Sequence, residues 1–234
     1  MAKNSRWRAA IVIPAAGLGR RFGSDGARKP FVRLKNRPIL IWTLKAFEAV
    51  PEVSEIVIAV HPDDVEAAWG VVRRYRCGKI RAIVPGGKTR ADSVYCGLNC
   101  VSEKVDVVAV HDAARPLVEP GLIQRVLKMA YQKGAALAAV PMVPTTKFVG
   151  PKGQVVKTLD RRRLWAAQTP QAFRKSILEN AYRRIRGARR QKMTDEAMLV
   201  EQAGVRSWVV EDSPRNLKIT TPEDLRLAEA LLYS

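Results

Sequence analysis

Short, continuously apolar runs rich in Val, Ile and Ala alternate with helical stretches along almost the whole chain. The runs are Ala9–Pro14, Glu55–Val60, Ile80–Val84, Val105–Val110, Ala135–Val140 and Val205–Val210. Helical patterns lie between them at Pro38–Ala49, Asp63–Arg74, Ala91–Val101, Gly121–Gln132 and Thr194–Ala203. Strands that are apolar on both faces need cover on both faces, so the pattern predicts a mostly parallel sheet between two helical layers. A last helix is well marked, with Thr221 as N-cap, Pro222 at the first helical position, and Glu223 and Asp224 at the positive end of the dipole. Thr194 is read as the N-cap of the helix before it.

The alternation breaks between residues 141 and 168. Pro144, Gly150, Pro151 and Gly153 interrupt it, flanked by short β runs at Thr146–Val149 and Val155–Leu159. This reads as a hairpin arm projecting from the core. With 234 residues and 47% hydrophobic content the chain suits one domain carrying that arm. No apolar run approaches the roughly 20 residues that cross a bilayer, and Ala9–Ala16 runs straight into Gly17, as a strand does and a signal peptide does not. Three cysteines, Cys77, Cys96 and Cys100, fit reduced thiols, and the expected location is the cytoplasm.

The formal net charge is +19, and it is concentrated. Residues 1–37 hold ten Lys/Arg and one acid, and residues 161–192 hold eleven and one. The rest of the chain is therefore neutral, so the charge is not a general surface property, and the arginines between residues 183 and 190 read as a solvated basic face.

Three loops after strands carry candidate chemistry. The first is Pro14-Ala15-Ala16-Gly17-Leu18-Gly19-Arg20-Arg21-Phe22-Gly23, followed by Arg28 and Lys29. Small residues let a backbone approach a ligand and cradle phosphates, and this many cations suit a triphosphate. The dinucleotide fingerprint fails, because its third glycine would fall on Phe22. The second is Pro85-Gly86-Gly87-Lys88-Thr89-Arg90-Ala91-Asp92-Ser93. A Walker A loop fails there, because its first glycine would fall on Ala82. A turn whose glycines free backbone groups to read a base edge remains, with Ser93 supplying a hydroxyl. The third is Val110-His111-Asp112-Ala113-Ala114-Arg115-Pro116. A carboxylate at a strand end can hold Mg²⁺ together with substrate phosphates, with Arg115 as a phosphate ligand. His111 reads as a packed, hydrogen-bonded histidine.

With Arg90-Ala-Asp-Ser-Val94, Thr169-Pro-Gln171, Thr194-Asp-Glu-Ala197 and Asn216-Leu-Lys-Ile-Thr220, these loops resemble the 2-C-methyl-D-erythritol 4-phosphate cytidylyltransferase family from Ala10 to Leu232. The resemblance implies a Rossmann-like nucleotidyltransferase fold (class α/β) and a β-arm that reaches across a homodimer. It implies transfer of a cytidylyl group from CTP to methylerythritol phosphate, with release of pyrophosphate. Ala15, Ala16 and Gly17 would contact the nucleotide, with Gly19, Arg21 and Lys29 on the triphosphate. Gly87, Arg90 and Ser93 would lie at the cytosine, and Asp112 would hold Mg²⁺. Arg115, Thr169, Thr194 and Lys218 would line the acceptor side, with Thr146 and Arg161 coming from the partner's arm. Catalysis would fall to Arg21, Lys29, Lys218 and Arg161. The chain departs from the family where Lys29-Pro30-Phe31 replaces a Lys-Gln-aromatic run, and where Lys88 stands in place of an acid. The nearest rival is a ribitol 5-phosphate cytidylyltransferase; a basic nucleic-acid-binding protein is the rival from another class. A second, downstream activity is not expected at this length.

Overall fold

The computed structural model describes residues 7–17 and 29–232, with only the backbone of Lys29. The chain opens with β1 (Ala9–Ala15), a short turn pair β2 (Arg33–Leu34) and β3 (Arg37–Pro38), and α1 (Ile39–Glu48). Then follow β4 (Val53–Val60), α2 (Val65–Arg74), β5 (Ile80–Pro85), α3 (Arg90–Leu98), β6 (Val107–Val110), α4 (Pro120–Lys133) and β7 (Ala135–Pro141). A hairpin of β8 (Lys147–Val149) and β9 (Val155–Thr158) leads to β10 (Trp165–Arg174). The chain closes with α5 (Lys175–Arg184), α6 (Gly187–Gln191), α7 (Glu196–Gln202), β11 (Trp208–Glu211) and α8 (Pro222–Leu231).

Seven strands form one sheet in the order β11-β7-β10-β6-β1-β4-β5. All neighbours pair in parallel except β10, which runs antiparallel to both β6 and β7. The α/β class and mostly parallel sheet therefore match the sequence reading, which had no strand at 165–174. Residues Ala9–Ile13 are fully buried and alternate between two cores. Ile11 and Ile13 pack with Leu40, Phe47, Ile58 and Leu127 on one face. Ala10 and Val12 pack with Val94, Val108, Phe173 and Tyr182 on the other. That is the period-2 pattern of a strand between two helical layers.

From β1 the chain builds outward through β4 and β5, then returns to the opposite side of β1 as β6. This reversal opens a crevice beyond the carboxyl ends of β1 and β6, where ligands bind in open α/β sheets. Among the described residues, no helix is long and apolar enough to cross a membrane.

The hairpin lies where it was expected, although Pro141 belongs to β7 and Trp165–Gln168 to β10. Every residue of β8 and β9 is exposed. Thr221 caps α8 as expected, and Asp224 completes a capping box that was not: Asp224 N–H donates to Thr221 Oγ1, and Thr221 N–H donates to the Asp224 carboxylate. Thr194 is not the N-cap of α7. Asp195 is, its Oδ1 accepting from Met198 N–H at 2.9 Å. Thr194 is exposed and turns its hydroxyl to Met198 Sδ. A carboxylate one residue closer to the first turn faces the free N–H groups directly and takes the position.

Candidate active site

A cavity of about 300 Å³ opens in the crevice. Its wall includes Ala15, Ala16 and Gly17 at the end of β1, Gly87–Arg90 and Ser93 in the turn into α3 and its first residues, Asp112–Ala114 after β6, and Lys218. The three strand-end loops singled out from the sequence thus meet in one place. Gly19 and Arg21, like Arg20 and Arg28, lie outside the described residues, as does the Lys29 side chain. Pro30 lines the cavity.

The turn after β5 is tightly packed. A Cβ on Gly86 would lie 2.5 Å from Ala16 Cβ and 2.8 Å from Ser93 Oγ, so only glycine lets the β1 and β5 loops touch. Ser93 spends its hydroxyl inside this turn, donating to Thr89 O at 3.0 Å and accepting from Gly87 N–H at 3.1 Å. Thr89, which the sequence did not mark, caps α3 by accepting from Asp92 N–H.

Asp112 is the charge centre. Arg90 Nε donates to its Oδ1 at 3.0 Å and Lys218 Nζ to its Oδ2 at 2.6 Å. Burial alone would raise the Asp112 carboxyl; Arg90 and Lys218 outweigh burial and hold it well below the usual range, so it is ionised. Arg90 Nη1 reaches both oxygens of Glu196, at 2.9 and 2.7 Å. Glu196 is 1% exposed and also accepts from Tyr182 OH at 3.2 Å. Burial opposes the Arg90 charge, but Glu196 and Asp112 together hold the guanidinium above its ordinary value. Arg90 is thus locked between two carboxylates, one from the loop after β6 and one from the start of α7.

The remaining motifs hold this centre in place. Asp112 N–H donates to Thr169 Oγ1, whose own proton faces His111 Nδ1. His111 Nε2 lies 3.1 Å from Arg115 O, which assigns the proton to Nε2 and leaves the ring neutral. Burial, only partly countered by that bond, lowers the imidazole to about 4. His111 is therefore the packed histidine expected. Arg115 is buried and donates to Asn216 O at 2.6 Å; Ile219 N–H donates to Ala114 O, and these two bonds bring Lys218 to Asp112. Arg115 is not among the residues lining the cavity, and neither is Thr169 or Thr194. Gln171 ties two further motifs together, donating to Asp195 Oδ2 and accepting from Ala197 N–H. Thr146 and Arg161 sit on the exposed arm, where Thr146 bonds Pro144 O and Arg161 bonds Val143 O. Glu196, Gln171 and Asn216 lay inside motifs read from the sequence but carried no role there. Their burial against partners 26 to 106 residues away in the chain is what gives them one.

The family model for 2-C-methyl-D-erythritol 4-phosphate cytidylyltransferase matches residues 9–234. The chain belongs to this family. A member from Syntrophus aciditrophicus is 43% identical over 222 residues, covering 94% of each chain. One from Symbiobacterium thermophilum is 46% identical over 222 residues, covering 95% of this chain and 92% of its own. Solved structures agree. The 4-diphosphocytidyl-2C-methyl-D-erythritol synthase of Anaerococcus prevotii superposes with a TM-score of 0.85 at 28% identity, covering 97% of both chains. The cytidylyltransferase of Francisella tularensis gives 0.79 at 36% identity, covering 96% of this chain and 99% of its own. The chain is therefore a cytidylyltransferase, an enzyme of nucleotidyltransferase type.

Among the described residues no group of three His, Cys, Asp or Glu side chains gathers to cage a metal. Mg²⁺ does not require one, because it takes one or two carboxylates and completes its shell with substrate phosphates and water. Asp112, ionised at the cavity wall, fits that demand.

Proposed function

We propose that the enzyme transfers the cytidylyl group of CTP to 2-C-methyl-D-erythritol 4-phosphate, giving CDP-methylerythritol and pyrophosphate. One observation carries the reading: the ionised Asp112, flanked by Arg90 and Lys218, beside the Gly86–Gly87 turn in the crevice of a family member.

The acceptor phosphate oxygen is already an anionic nucleophile. It forms a bond to the α-phosphorus of CTP while the bond from that phosphorus to the bridging oxygen breaks, and pyrophosphate leaves with the electron pair. No side-chain base is needed, which suits a site whose one histidine is buried and fully engaged. Catalysis then rests on positioning and on cations placed where negative charge grows. Lys218 stands at the cavity, and Arg21 and Lys29 would join it on the triphosphate. Asp112 would hold the Mg²⁺, which when bound draws charge from the substrate phosphates. Ala15, Ala16 and Gly17 would let the nucleotide lie against the backbone. Gly87 and Ser93 would face the cytosine, the Ser93 hydroxyl by shaping the turn. Arg90 would hold Asp112 in place. Thr169, Thr194 and Arg115 would shape the acceptor side.

The chain would form one nucleotidyltransferase domain with its arm serving a homodimer. Val143 is 71% and Val155 60% exposed, and a two-stranded hairpin is marginal in water without cover. A partner's arm would bring Thr146 and Arg161 to the acceptor.

Pyrophosphate release tests the reading, with CTP, ATP, GTP or UTP as donor and methylerythritol 4-phosphate or ribitol 5-phosphate as acceptor. Turnover confined to CTP with methylerythritol phosphate is expected. A preference for ribitol phosphate would move the acceptor, and no release with either would overturn the reaction.

A further inference from the structure

Six of the ten residues from Arg183 to Lys192 are basic. Five of the six are exposed, and α6 within this segment buries no residue. Arg190 is the exception. Its Nη2 donates to Asp92 Oδ1 at 2.6 Å, and the two side chains are only 19% and 20% exposed. Its guanidinium carbon lies 5.0 Å from the ring centre of Tyr95 and 6.0 Å from that of Tyr182, within reach of cation–π attraction. Its Nε is buried without a hydrogen-bond partner.

Asp92 sits at the nucleotide turn. Its second oxygen accepts from Thr89 Oγ1 at 2.8 Å, and its own N–H donates back to that hydroxyl. A Cβ placed on Gly87 would lie 2.4 Å from Asp92 Cβ, so this side chain is packed directly against the turn. One oxygen of Asp92 therefore faces the turn and the other faces Arg190.

We infer that Arg190 is a positioning residue for the nucleotide: by holding Asp92 it sets the Gly86–Lys88 turn that lines the cavity. The inference rests on the reading above, which places cytosine at that turn. An arginine suits the task where a lysine does not, because a flat guanidinium stacks on two rings while its edge bonds a carboxylate.

The test compares Arg190→Ala, Arg190→Lys, Asp92→Asn and the Arg190→Ala/Asp92→Asn double variant with wild type. KM for CTP, KM for methylerythritol phosphate and kcat are measured, together with amide hydrogen exchange of residues 86–93 in the protein alone. Arg190→Ala should raise KM for CTP about tenfold, leave kcat and the acceptor KM within about twofold, and speed exchange at the turn. Arg190→Lys should recover part of the loss. Adding Asp92→Asn to Arg190→Ala should cost less than a further twofold, as for two residues in one contact. A uniform fall in kcat and rise in both KM values, independent effects of the two substitutions, or unchanged exchange at the turn would overturn the inference. If wild type does not turn over CTP, the reaction assigned above fails, and exchange at residues 86–93 alone decides the role of Arg190.

Discussion

Lys218 Nζ and Asp112 Oδ2 lie 2.6 Å apart although 106 residues separate them in sequence. Two backbone-anchored contacts, Arg115 to Asn216 O and Ile219 N–H to Ala114 O, make that meeting possible. The pair puts a cation at the cavity wall with its charge balanced until substrate phosphates arrive. Lys218→Ala should therefore lower kcat by about two orders of magnitude, roughly 3 kcal/mol at the barrier, while leaving the fold intact because Arg90 still pairs Asp112. Lys29→Ala should act similarly on the triphosphate side. Steady-state kinetics check both, and near wild-type turnover in either variant would remove that lysine from the mechanism.

Glu196 answers to stability more than to chemistry. It is buried, bonds Arg90 twice and accepts from Tyr182. Glu196→Ala leaves Arg90 paired with Asp112 alone and the Tyr182 hydroxyl without its partner, and losing buried, charge-assisted hydrogen bonds of this kind costs about 2–3 kcal/mol. Glu196→Ala should lose that much in denaturant unfolding and should lose activity with it, since Arg90 would no longer hold Asp112 in place. A loss under about 1 kcal/mol would contradict this role.

His111 sets a pH dependence of stability in the metal-free protein. Its imidazole is lowered to about 4 when folded, against an ordinary value of 6.5. Between these values the unfolded chain binds a proton that the folded chain refuses, so stability falls as pH drops through 6.5 toward 4 and is complete above 6.5. The groups facing the ring are Thr169 Oγ1, Arg115 O, the edge of Phe47, and the charges of Asp112, Arg115 and Arg90. The full effect is about 3 kcal/mol. Unfolding curves at several pH values with a chelator present check it. His111→Gln should flatten the slope between pH 6.5 and 5, and an unchanged slope would assign it elsewhere.

The arm should hold a dimer together. Phe148, Val149, Val155 and Val156 are all exposed in a single chain. Phe148→Asp should shift the protein toward monomer in light-scattering chromatography and cut turnover, if a partner's Arg161 serves the site. A wild-type protein that elutes as a monomer would contradict the dimer.

Much of this was legible in the sequence because it is local. β1 opens with five fully buried residues, Ala9–Ile13, and Thr221-Pro222 is a capping signal whose partner lies three residues on. The three loops were legible as loops because each follows an apolar run, two of them rich in glycine and cations and the third carrying Asp112, Arg115 and Pro116. β10 was not, since its Thr169-Pro170-Gln171 reads as a break and only pairing with β6 and β7 makes it a strand. The brace formed by Glu196, Gln171 and Asn216 was hidden for a similar reason. Nothing near a buried carboxylate in sequence tells that an arginine 106 positions earlier will meet it. Nor could the sequence separate Thr194 from Asp195 as the cap of α7, because both residue types cap helices and only the backbone angle chooses.

The most direct test of cytidylyl transfer follows the atoms. CTP and methylerythritol 4-phosphate, the latter carrying heavy oxygen on its phosphate, are incubated with the enzyme and Mg²⁺, and the products are read by phosphorus NMR and mass spectrometry. The account predicts a CDP-alcohol that keeps the heavy oxygen, including in the bridge between its two phosphorus atoms, and an equal amount of unlabelled pyrophosphate. CMP formed without transfer, or label appearing in the pyrophosphate, would contradict it.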